Sequence, residues 1–452
     1  MKQSILAIDI CSSSIKAVIA KKNSENKISI LGAAVESCNG VNKGLITSIS
    51  VAGESIKKAL NQAKSLIDED FSGAVVSLSG ANTKGVSSKG SVNIPNSLIS
   101  PNEVNKVMQH ALFQADIVDE YEAVHVLPMY FKVDDSSNLE NPLNMTGSSL
   151  EVVVYIITAK KTALANIKSA MKEAKLRVNN FVLNSYASSM AVLSEEQKRF
   201  GVGLLDIGST TSEFIFFKNK AVSYIDFLPL GSSNITNDLY ITLKTPVSAA
   251  EELKIQYGAL LSRQENEDQK IKKVQIPILG DEKSLQEISL EQIQIIVHAR
   301  IEEMLILMRD KMQANGIIKY MSAGLVLTGG MSELAGVKEL ASKVFENLPV
   351  KMAKPINLKN GVMDLSDPRL ASVMGLLSYI LDDKQNFELD SNKSLHKVMQ
   401  NTKKPEEKIY KAPGAKNDDK QIKIAKNSKI QLSQPQKKAH KKSWGQKIME
   451  IF

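Results

Sequence analysis

The chain has 452 residues, of which 43% are hydrophobic and 5% aromatic, and its formal net charge is +8. This length exceeds what one compact domain usually holds and suits two lobes with subdomains. Residues 403–442 alone contain 13 Lys against 4 Asp or Glu, so the rest of the chain is nearly neutral. It lacks the broad positive field that nucleic-acid binding usually needs. The charge distribution therefore predicts no nucleic-acid partner.

The N-terminal residues 5–36 are predicted to form strands, and the first strand ends in an acid. The stretch ILAIDICSSSIKAVI (5–19) runs from an apolar strand through Asp9 and small polar residues into a second strand. This pattern is typical of two strands joined by a tight turn. The candidates to bond phosphate oxygens here are Ser12, Ser13 and Lys16. A solvated surface position is the alternative for the lysine.

The chain then alternates helices and strands before its texture changes. Between residues 85 and 162, Gly, Ser, Asn and Pro interrupt short strands, which indicates an inserted subdomain. The elements predicted between residues 50 and 200 are a helix at 50–66, strands at 73–80 and 150–159, a helix at 161–175 and a polar joint at 195–200.

A second strand–acid–turn–strand unit lies at GLLDIGSTTSEFIFF (203–217), and its Asp206 follows Asp9 by 197 positions. An ordinary hairpin is the alternative for this stretch taken alone. Repetition of the unit favours two facing hairpins, in which the two carboxylates face a magnesium ion through water. The alternative is that each Asp caps its own turn. The second phosphate loop is predicted to comprise Gly208, Ser209, Thr210 and Thr211.

A third stretch, GLVLTGGMSELAG (324–336), leads an apolar strand into Gly329 and Gly330. Glycines at such a position let backbone N–H groups and a helix N-terminus approach an anion closely. Together the three stretches predict a cleft that holds a nucleotide polyphosphate and its Mg²⁺.

The second half of the chain is predicted to hold one long helix and then to lose its apolar periodicity. Residues 262–275 form a charged, exposed excursion, and 289–313 show apolar residues at helical spacing. Residues 403–442 contain a single aromatic residue, Tyr410. Such a segment cannot bury enough surface to offset its ordering entropy, which predicts a flexible linker.

The last twelve residues, KKSWGQKIMEIF (441–452), are predicted to form an amphipathic helix on an anionic membrane surface. The predicted apolar stripe comprises Trp444, Ile448, Ile451 and Phe452. The predicted lysine contacts to lipid are Lys441, Lys442 and Lys447. The alternative is a helix that docks back on its own protein.

Other site classes receive little support. Cys11 and Cys38 are too few for a disulfide framework, and the five histidines are scattered along the sequence. Met1 leads into strand residues without a secretory leader, and no apolar run reaches the roughly 20 residues of a spanning helix. We therefore expect a cytoplasmic protein. Several polar residues could position a water for phosphoryl transfer, so the catalytic base stays open.

The two hairpins and the Gly-Gly stretch resemble, in order and spacing, those of the actin, Hsp70 and sugar-kinase superfamily. Three further stretches resemble the FtsA family of bacterial cell-division proteins, as does a C-terminal amphipathic helix after a long linker. These stretches are HVLPMYFKVDD with its continuation to residue 159 (125–159), NSYASSMAVL (184–193) and PVSAAEELKIQYG (246–258). The resemblance covers roughly residues 3–385 and the last dozen.

This resemblance implies an α/β, actin-like two-lobed ATPase fold with an inserted small α/β subdomain, a disordered linker and a C-terminal amphipathic helix. The first lobe would comprise residues 1–84, 163–195 and 361–385, with the insertion at 85–162. The second lobe would comprise 196–228 and 312–360, with a subdomain at 229–311. The basic linker would span 386–440 and the membrane-targeting helix 441–452.

The resemblance also implies roles for residues around the nucleotide. Gly329 and Gly330 would contact the adenosine, with Met331 packing near the base. Glu251 and Lys254 would contact the ribose and adenine, and a surface ion pair is their alternative. Cys11 stands where the family usually has Gly, which points to ATP binding with at most slow hydrolysis.

The implied function is an ATP-binding protein that polymerises on the cytoplasmic face of the inner membrane at the division site. It would tether the FtsZ ring and recruit downstream division proteins. The FtsZ C-terminal peptide would bind the subdomain at 229–311 near Arg300, whose alternative role is to pair with Glu302 or Glu303 on its own helix. The alternative functions are a soluble ATP-driven enzyme (a sugar kinase or a chaperone) and a pilus-assembly ATPase.

Overall fold

Two five-stranded sheets with the same strand arrangement organise the fold. The computed structural model describes residues 4–22, 28–65, 67, 69–260, 272–346, 348–355, 365–381 and 387–396. The strands of this part are β1 (Ile5–Ile10), β2 (Ser14–Lys22), β3 (Ile28–Ser37), β4 (Val41–Asn42), β5 (Leu45–Ile46), β6 (Gly73–Leu78), β7 (Thr83–Asn93), β8 (Tyr121–Val133), β9 (Ser136–Leu139), β10 (Ser149–Lys160), β11 (Arg177–Leu183), β12 (Val202–Ile207), β13 (Ser212–Lys218), β14 (Ala221–Leu228), β15 (Lys273–Ile278), β16 (Asp281–Ser289), β17 (Gly324–Thr328) and β18 (Val350–Met352). The α-helices are α1 (Ile49–Ala63), α2 (Pro101–Phe113), α3 (Lys161–Glu173), α4 (Asn184–Val192), α5 (Glu195–Phe200), α6 (Ser232–Leu243), α7 (Val247–Tyr257), α8 (Leu290–Ala314), α9 (Val337–Val344) and α10 (Ala371–Leu381).

The first sheet has the strand order β11-β6-β1-β2-β3. Its strands β1, β2 and β3 form an antiparallel meander, and β6 and β11 continue the sheet in parallel with β1. The second sheet repeats this arrangement with the order β18-β17-β12-β13-β14, in which β12, β13 and β14 are antiparallel and β17 and β18 run parallel to β12. The repeat of the strand–Asp–turn–strand unit in the sequence therefore corresponds to a repeated sheet.

Helices α4 and α10 lie between the two sheets and share one hydrophobic core with both of them. This core includes Ala7 of the first sheet and Leu204 of the second. The sequence of α10, ASVMGLLSYIL, is apolar around most of its surface, as expected for a helix that is buried on all sides. A Cβ atom on Gly375 of α10 would overlap the carbonyl oxygen of Ala187 in α4. The close crossing of the two helices thus requires glycine at 375.

A separate four-stranded sheet, ordered β7-β10-β8-β9, is built from the residues after β6. Helix α2 packs against it and begins with a capping box between Ser100 and Glu103, with Pro101 in the first turn. The buried residues of α2 recur at helical spacing and join the core of this sheet. This part of the chain therefore has a hydrophobic core of its own.

The second lobe carries a helical region of α6, α7 and α8 together with the hairpin β15–β16. The predicted helix at 289–313 is observed as α8, and Ser289 and Gln292 form its capping box. Its buried residues follow the helical period and are Ile293, Val297, Ile301, Met304, Leu305, Met308 and Met312.

Two segments that were predicted only as exposed connections contain regular secondary structure. The polar joint predicted at 195–200 is helix α5, which starts from a capping box between Ser194 and Gln197. The end of the charged excursion predicted at 262–275 forms strand β15, which pairs with β16. Residues 261–271 lie outside the described residues.

Residues 387–396, which we call the strap, pack against the body, so the prediction of a linker from 386 is wrong for these residues. Leu389 exchanges two backbone hydrogen bonds with Val126 of β8, at 3.0 and 3.1 Å. The ring of Phe387 meets that of Phe131 edge to face, with centroids 5.5 Å apart. The remainder of the predicted linker, from 397 to 440, and the predicted helix at 441–452 lie outside the described residues.

No helix within the described ranges combines the length and the apolar character needed to cross a membrane.

We expect Gly375→Ala to lower the free energy of unfolding by about 1–3 kcal/mol, because the added methyl group forces α10 away from α4. Urea denaturation followed by circular dichroism measures the change. The control is Ser169→Ala on the exposed side of α3, which we expect to stay within about 0.5 kcal/mol of the parent. Equal unfolding midpoints for the Gly375 variant and the control would contradict the close helix crossing.

Candidate functional site

A cavity of about 710 Å³ lies where the turns of the hairpins β1–β2 and β12–β13 face each other. The two turns touch, since the Thr210 hydroxyl donates to the Ser12 hydroxyl oxygen at 2.6 Å. Eleven of the residues predicted from the sequence line this cavity: Ser12, Ser13, Lys16, Asp206, Gly208, Ser209, Thr210, Thr211, Glu251, Gly329 and Gly330. The structure therefore brings all three predicted stretches to one place.

The two turns have the same backbone geometry. In the first, the N–H of Cys11 donates to the carbonyl oxygen of Ser14 at 3.0 Å, and in the second the N–H of Gly208 donates to that of Thr211 at 2.9 Å. Asp9 is opposite Lys16 in the β1–β2 register, and Asp206 is opposite residue 213 in the β12–β13 register. Every member of the first turn thus has a counterpart 197 positions later.

Asp9 is fully buried and forms an ion pair with Lys16, with 2.7 Å between Nζ and Oδ2. The carboxylate lies behind Lys16 and does not line the cavity itself. Burial acts to lower the pKa of Lys16, but the neighbouring Asp9 outweighs it and holds that pKa above its ordinary value. The alternative of a solvated Lys16 is therefore wrong.

Cys11 contacts both members of this ion pair. Its thiol donates to Asp9 Oδ2 at 3.2 Å and accepts from Lys16 Nζ at the same distance. Burial and the adjacent Asp9 carboxylate raise the pKa of the thiol far above its ordinary value. The side chain at position 11, where the resemblance implies glycine, is therefore a neutral thiol in the cavity wall.

Asp206 lines the cavity and accepts a hydrogen bond from the Ser188 hydroxyl at 2.5 Å. Burial raises the pKa of this carboxyl, and the Ser188 hydrogen bond only partly offsets that effect. Gly329 passes directly beside it with φ +86°, and a Cβ there would lie 2.5 Å from Asp206 Oδ1. Glycine at 329 is therefore needed for both the backbone conformation and the approach to the acid.

Glu213 is a site residue that the sequence analysis missed. Its Oε1 atom accepts hydrogen bonds from the Ser79 hydroxyl and the Gly80 N–H, both at 2.9 Å, and thereby connects β13 to the end of β6 in the first lobe. Burial raises the pKa of Glu213 to about 7. The signal was present in the sequence, because Glu213 follows Lys16 by the same 197 positions that separate the two aspartates.

Asn184, also missed, is the first residue of α4 and lines the cavity. It begins the stretch NSYASSMAVL, which served in the sequence only to identify the family resemblance. Residues Asp367 to Leu370 form a further unpredicted part of the wall, where Arg369 pairs with Asp367.

The arrangement of oxygens fits a hydrated magnesium ion. Five buried side-chain polar atoms in the described part of the chain have no hydrogen-bond partner, and three of them are Asp9 Oδ1, Asn184 Oδ1 and Glu213 Oε2. A buried acceptor without a partner costs about 1–3 kcal/mol, and oxygen atoms are what Mg²⁺ and its waters bind. No group of three or more His, Cys, Asp or Glu residues among the described ones could hold a metal ion by itself. Water and phosphate oxygens would therefore complete the coordination.

Of the residues predicted to contact the adenosine, some line the cavity and others are buried away from it. Glu251 lines the cavity, whereas Lys254 lies buried behind it and donates to Glu251 Oε2 at 2.7 Å and to the Thr236 hydroxyl at 3.1 Å. Met331 is 1% exposed and belongs to the core of the second lobe. Met331 therefore does not line the cavity, and its packing near the base stays a prediction.

Arg300, predicted as the partner contact, is not among the residues that line the cavity. Arg300 of α8 forms two hydrogen bonds with Asp238, at 2.5 and 2.9 Å, and an ion pair with Glu303. The pairing with Glu303 was its predicted alternative. The predicted membrane residues lie outside the described residues: Lys441, Lys442, Trp444, Lys447, Ile448, Ile451 and Phe452.

Comparison with known proteins gives two family matches. The family described as cell division protein FtsA matches residues 203–375, and the SHS2 domain inserted in FtsA matches residues 80–158. The second match coincides with the separate sheet β7-β10-β8-β9. The chain thus combines an actin-like pair of mixed sheets with an inserted SHS2 subdomain.

Curated relatives and solved structures cover most of the chain. The cell division protein FtsA of Helicobacter pylori is 32% identical over 417 residues, which cover 86% of this chain and 84% of that protein. The FtsA of Pseudomonas aeruginosa is 28% identical and that of Escherichia coli 25% identical, over 84% and 86% of this chain and 90% and 93% of theirs. A solved PilM-PilN type IV pilus biogenesis complex has a similar fold, with a TM-score of 0.57 at 17% identity over 83% of this chain and 98% of that one. The identity to the Helicobacter protein over nearly the whole of both chains shows that this chain belongs to the FtsA family of cell-division proteins.

Proposed function

We propose that this cell-division protein binds ATP and Mg²⁺ in the cavity between its two sheets, lies on the cytoplasmic face of the inner membrane and tethers FtsZ there. The observation that carries the nucleotide part is the pair of matching turns that meet at one cavity. The unpartnered buried oxygens beside them support a bound cation.

The chain's own residues divide the work of holding the nucleotide. Backbone N–H groups and hydroxyls of the two turns bind the phosphates, as Gly-rich and hydroxyl-rich turns do in other phosphate sites. Lys16 forms an ion pair with Asp9, and Asp206 in the cavity wall and Asp9 behind Lys16 would hold waters of a Mg²⁺ ion, which would neutralise the charge of the phosphates. Gly329, Gly330 and Glu251 bind the adenosine, and Lys254 positions Glu251.

Hydrolysis is slow in this proposal. Cys11 occupies space at the first turn that glycine would leave open, and its thiol is bonded to the Asp9–Lys16 pair. The phosphates therefore approach this turn less closely than the second. Nucleotide binding serves assembly of the chain with further copies of itself, and downstream division proteins join the assembled form.

The membrane part rests on the sequence of residues 441–452. Its apolar stripe is short, so attraction between lysines and anionic headgroups, about 1 kcal/mol for each lysine near the surface, supplies much of the binding. A single such segment binds reversibly, and assembly of many copies adds avidity.

For the interaction with FtsZ, we propose that its acidic C-terminal peptide binds the helical region of α6, α7 and α8 near Arg300. In the free chain this arginine is occupied by Asp238 and Glu303. A peptide carboxylate would take over part of that pairing, which is the kind of charge complementarity that selects partners.

Membership of the FtsA family favours this function over the three alternatives, a sugar kinase, a chaperone and a pilus-assembly ATPase. The likeness to the pilus biogenesis complex is one of fold alone at 17% identity.

We expect Asp206→Asn to raise the dissociation constant of Mg·ATP by tenfold or more, because the amide cannot hold the metal-bound waters as the carboxylate does. The substitution keeps the Ser188 hydrogen bond, so the fold should remain intact. Isothermal titration calorimetry measures the affinity. Asp135→Asn, on an exposed turn of the insertion, is the matched control. Equal affinities of both variants for Mg·ATP would refute the assignment of the cavity.

We expect Trp444→Glu to abolish flotation of the protein with anionic vesicles, because a charge enters the centre of the apolar stripe. Gln446→Glu introduces the same charge on the opposite face of the predicted helix and should weaken flotation only slightly. In the parent, the fluorescence of Trp444 should shift to the blue on addition of anionic vesicles. Flotation of the Trp444 variant at parental levels, without a blue shift in the parent, would overturn the membrane proposal.

We expect Arg300→Glu to weaken binding of a labelled FtsZ C-terminal peptide by at least tenfold, since like charges would then face each other. Fluorescence anisotropy provides the measurement, and unchanged Mg·ATP affinity verifies that the variant is folded. Arg309→Glu reverses a charge further along the same helix, where Arg309 pairs with Asp310. If both variants bind the peptide as the parent does, the FtsZ contact lies elsewhere.

A further inference from the structure

The carboxylate of Glu388 in the strap is fully buried and joins three elements that are distant in sequence. It lies 2.5 Å from His125 Nδ1 of β8, and it accepts hydrogen bonds from the hydroxyls of Tyr379 of α10 at 2.9 Å and Tyr186 of α4 at 3.1 Å. One side chain of the strap thus holds the inserted subdomain and both helices between the sheets.

The hydrogen bonds of His125 determine which of its nitrogens carries the proton. The backbone N–H of Leu183 donates to Nε2 at 3.0 Å, so Nε2 is an acceptor and Nδ1 carries the proton that is donated to Glu388. Leu183 is the N-cap residue of α4. Glu388 therefore reaches the first turn of this helix through a single imidazole ring.

The aromatic rings around Glu388 pack against one another. The ring centroids of His125 and Tyr186 are 5.1 Å apart and those of Tyr186 and Tyr379 are 6.3 Å apart, both edge to face. The ring of His396, at the end of the strap, stacks on Tyr379 at 4.1 Å. Burial alone would raise the pKa of Glu388, but His125, His396 and the Tyr379 hydroxyl together outweigh it and hold that pKa below its ordinary value. The strap is thus fixed by a charged, fully bonded group inside a closed aromatic cluster.

The two helices held by Glu388 also carry residues of the cavity. On α4, Asn184 lines the cavity and the Ser188 hydroxyl donates to Asp206. These two residues flank Tyr186, which lies between them in the sequence. On α10, Ser372 lines the cavity and lies 3.0 Å from the Ser188 hydroxyl. Any displacement of the strap that moves Tyr186 or Tyr379 therefore moves groups that face the cavity.

We propose that Glu388 is a positioning residue of the nucleotide site: the seated strap fixes α4 and α10 in the arrangement that keeps Asn184 and Ser372 in the cavity wall and Ser188 bonded to Asp206. This inference rests on the proposed nucleotide function. Because coupling between two equilibria is reciprocal, the factor by which strap seating tightens Mg·ATP is also the factor by which Mg·ATP disfavours strap release.

The test begins with the parent protein and Mg·ATP itself as the probe. Hydrogen exchange of the peptide that contains Leu389, whose N–H donates to Val126 in the seated strap, is measured with and without saturating Mg·ATP. We expect the nucleotide to slow this exchange at least fivefold. A purely structural strap would exchange at the same rate in both conditions.

The variant Glu388→Gln removes the charge while keeping the size of the side chain. We expect its dissociation constant for Mg·ATP to rise at least fivefold and the nucleotide effect on strap exchange to disappear. Glu151→Gln is the control, because Glu151 lies half-exposed on the insertion and pairs only with Lys132 among the described residues. This control should match the parent in both measurements.

The outcomes separate the two levels of inference. Absence of Mg·ATP binding by the parent would overturn the proposed function and with it the coupling. If the parent binds Mg·ATP but the hydrogen exchange of the strap does not change, the coupling is overturned and the proposed function stands. The same conclusion follows if folded Glu388→Gln binds Mg·ATP with the affinity of the parent. If that variant does not fold, the exchange measurement on the parent decides the matter.

Discussion

The meeting point of the two sheets buries more negative than positive charge, and the architecture around the cavity follows from that imbalance. Asp9 and Glu213 are buried, Asp206 faces the cavity, and Lys16 is the buried ammonium among them. Burial raises the pKa of both Asp206 and Glu213, and the neighbouring hydrogen bonds offset that effect only in part. A divalent cation between these acids would restore the balance, and the hydroxyl-rich turns on either side provide the surface for its phosphate ligand.

The repeated sheet explains why the sequence was informative about this region. Two strands and their turn are local structures, so the pattern of apolar residues, Asp and small polar residues predicted both hairpins and their equivalence. The same holds for the long helix α8 and for the buried strand β10, whose residues carry strong periodic or β-branched signals. The positions of Lys16 and Glu213 follow from the same repeat, because each residue lies opposite an Asp in the register of its hairpin.

Features that depend on distant partners could not be read from local patterns. Glu388 stands in FELDSNKSLH, a polar stretch, and its burial is decided by His125, which is 263 positions away. Asn184 lines the cavity because α4 begins there, and the position of α4 is set by the packing between the two sheets. Met331 follows the glycine pair directly, yet the 3-10 turn that begins there directs it into the core. The sequence placed Asn184 and Met331 in the correct stretches but could not give the direction of their side chains, and it assigned Glu388 to a linker.

The geometry of the strap has a mechanical consequence for the chain that follows it. The strap folds back on itself, since Leu389 is bridged to Leu395 and the N–H of His396 donates to the carbonyl oxygen of Glu388 at 2.8 Å. A force that reaches His396 from the residues after it acts first on this hydrogen bond and on the contacts of His396 with Tyr379. It reaches the Leu389–Val126 pair only after the rungs of the strap itself. The hydrogen bonds within the strap therefore lie between the C-terminal segment and the pair that joins the strap to β8.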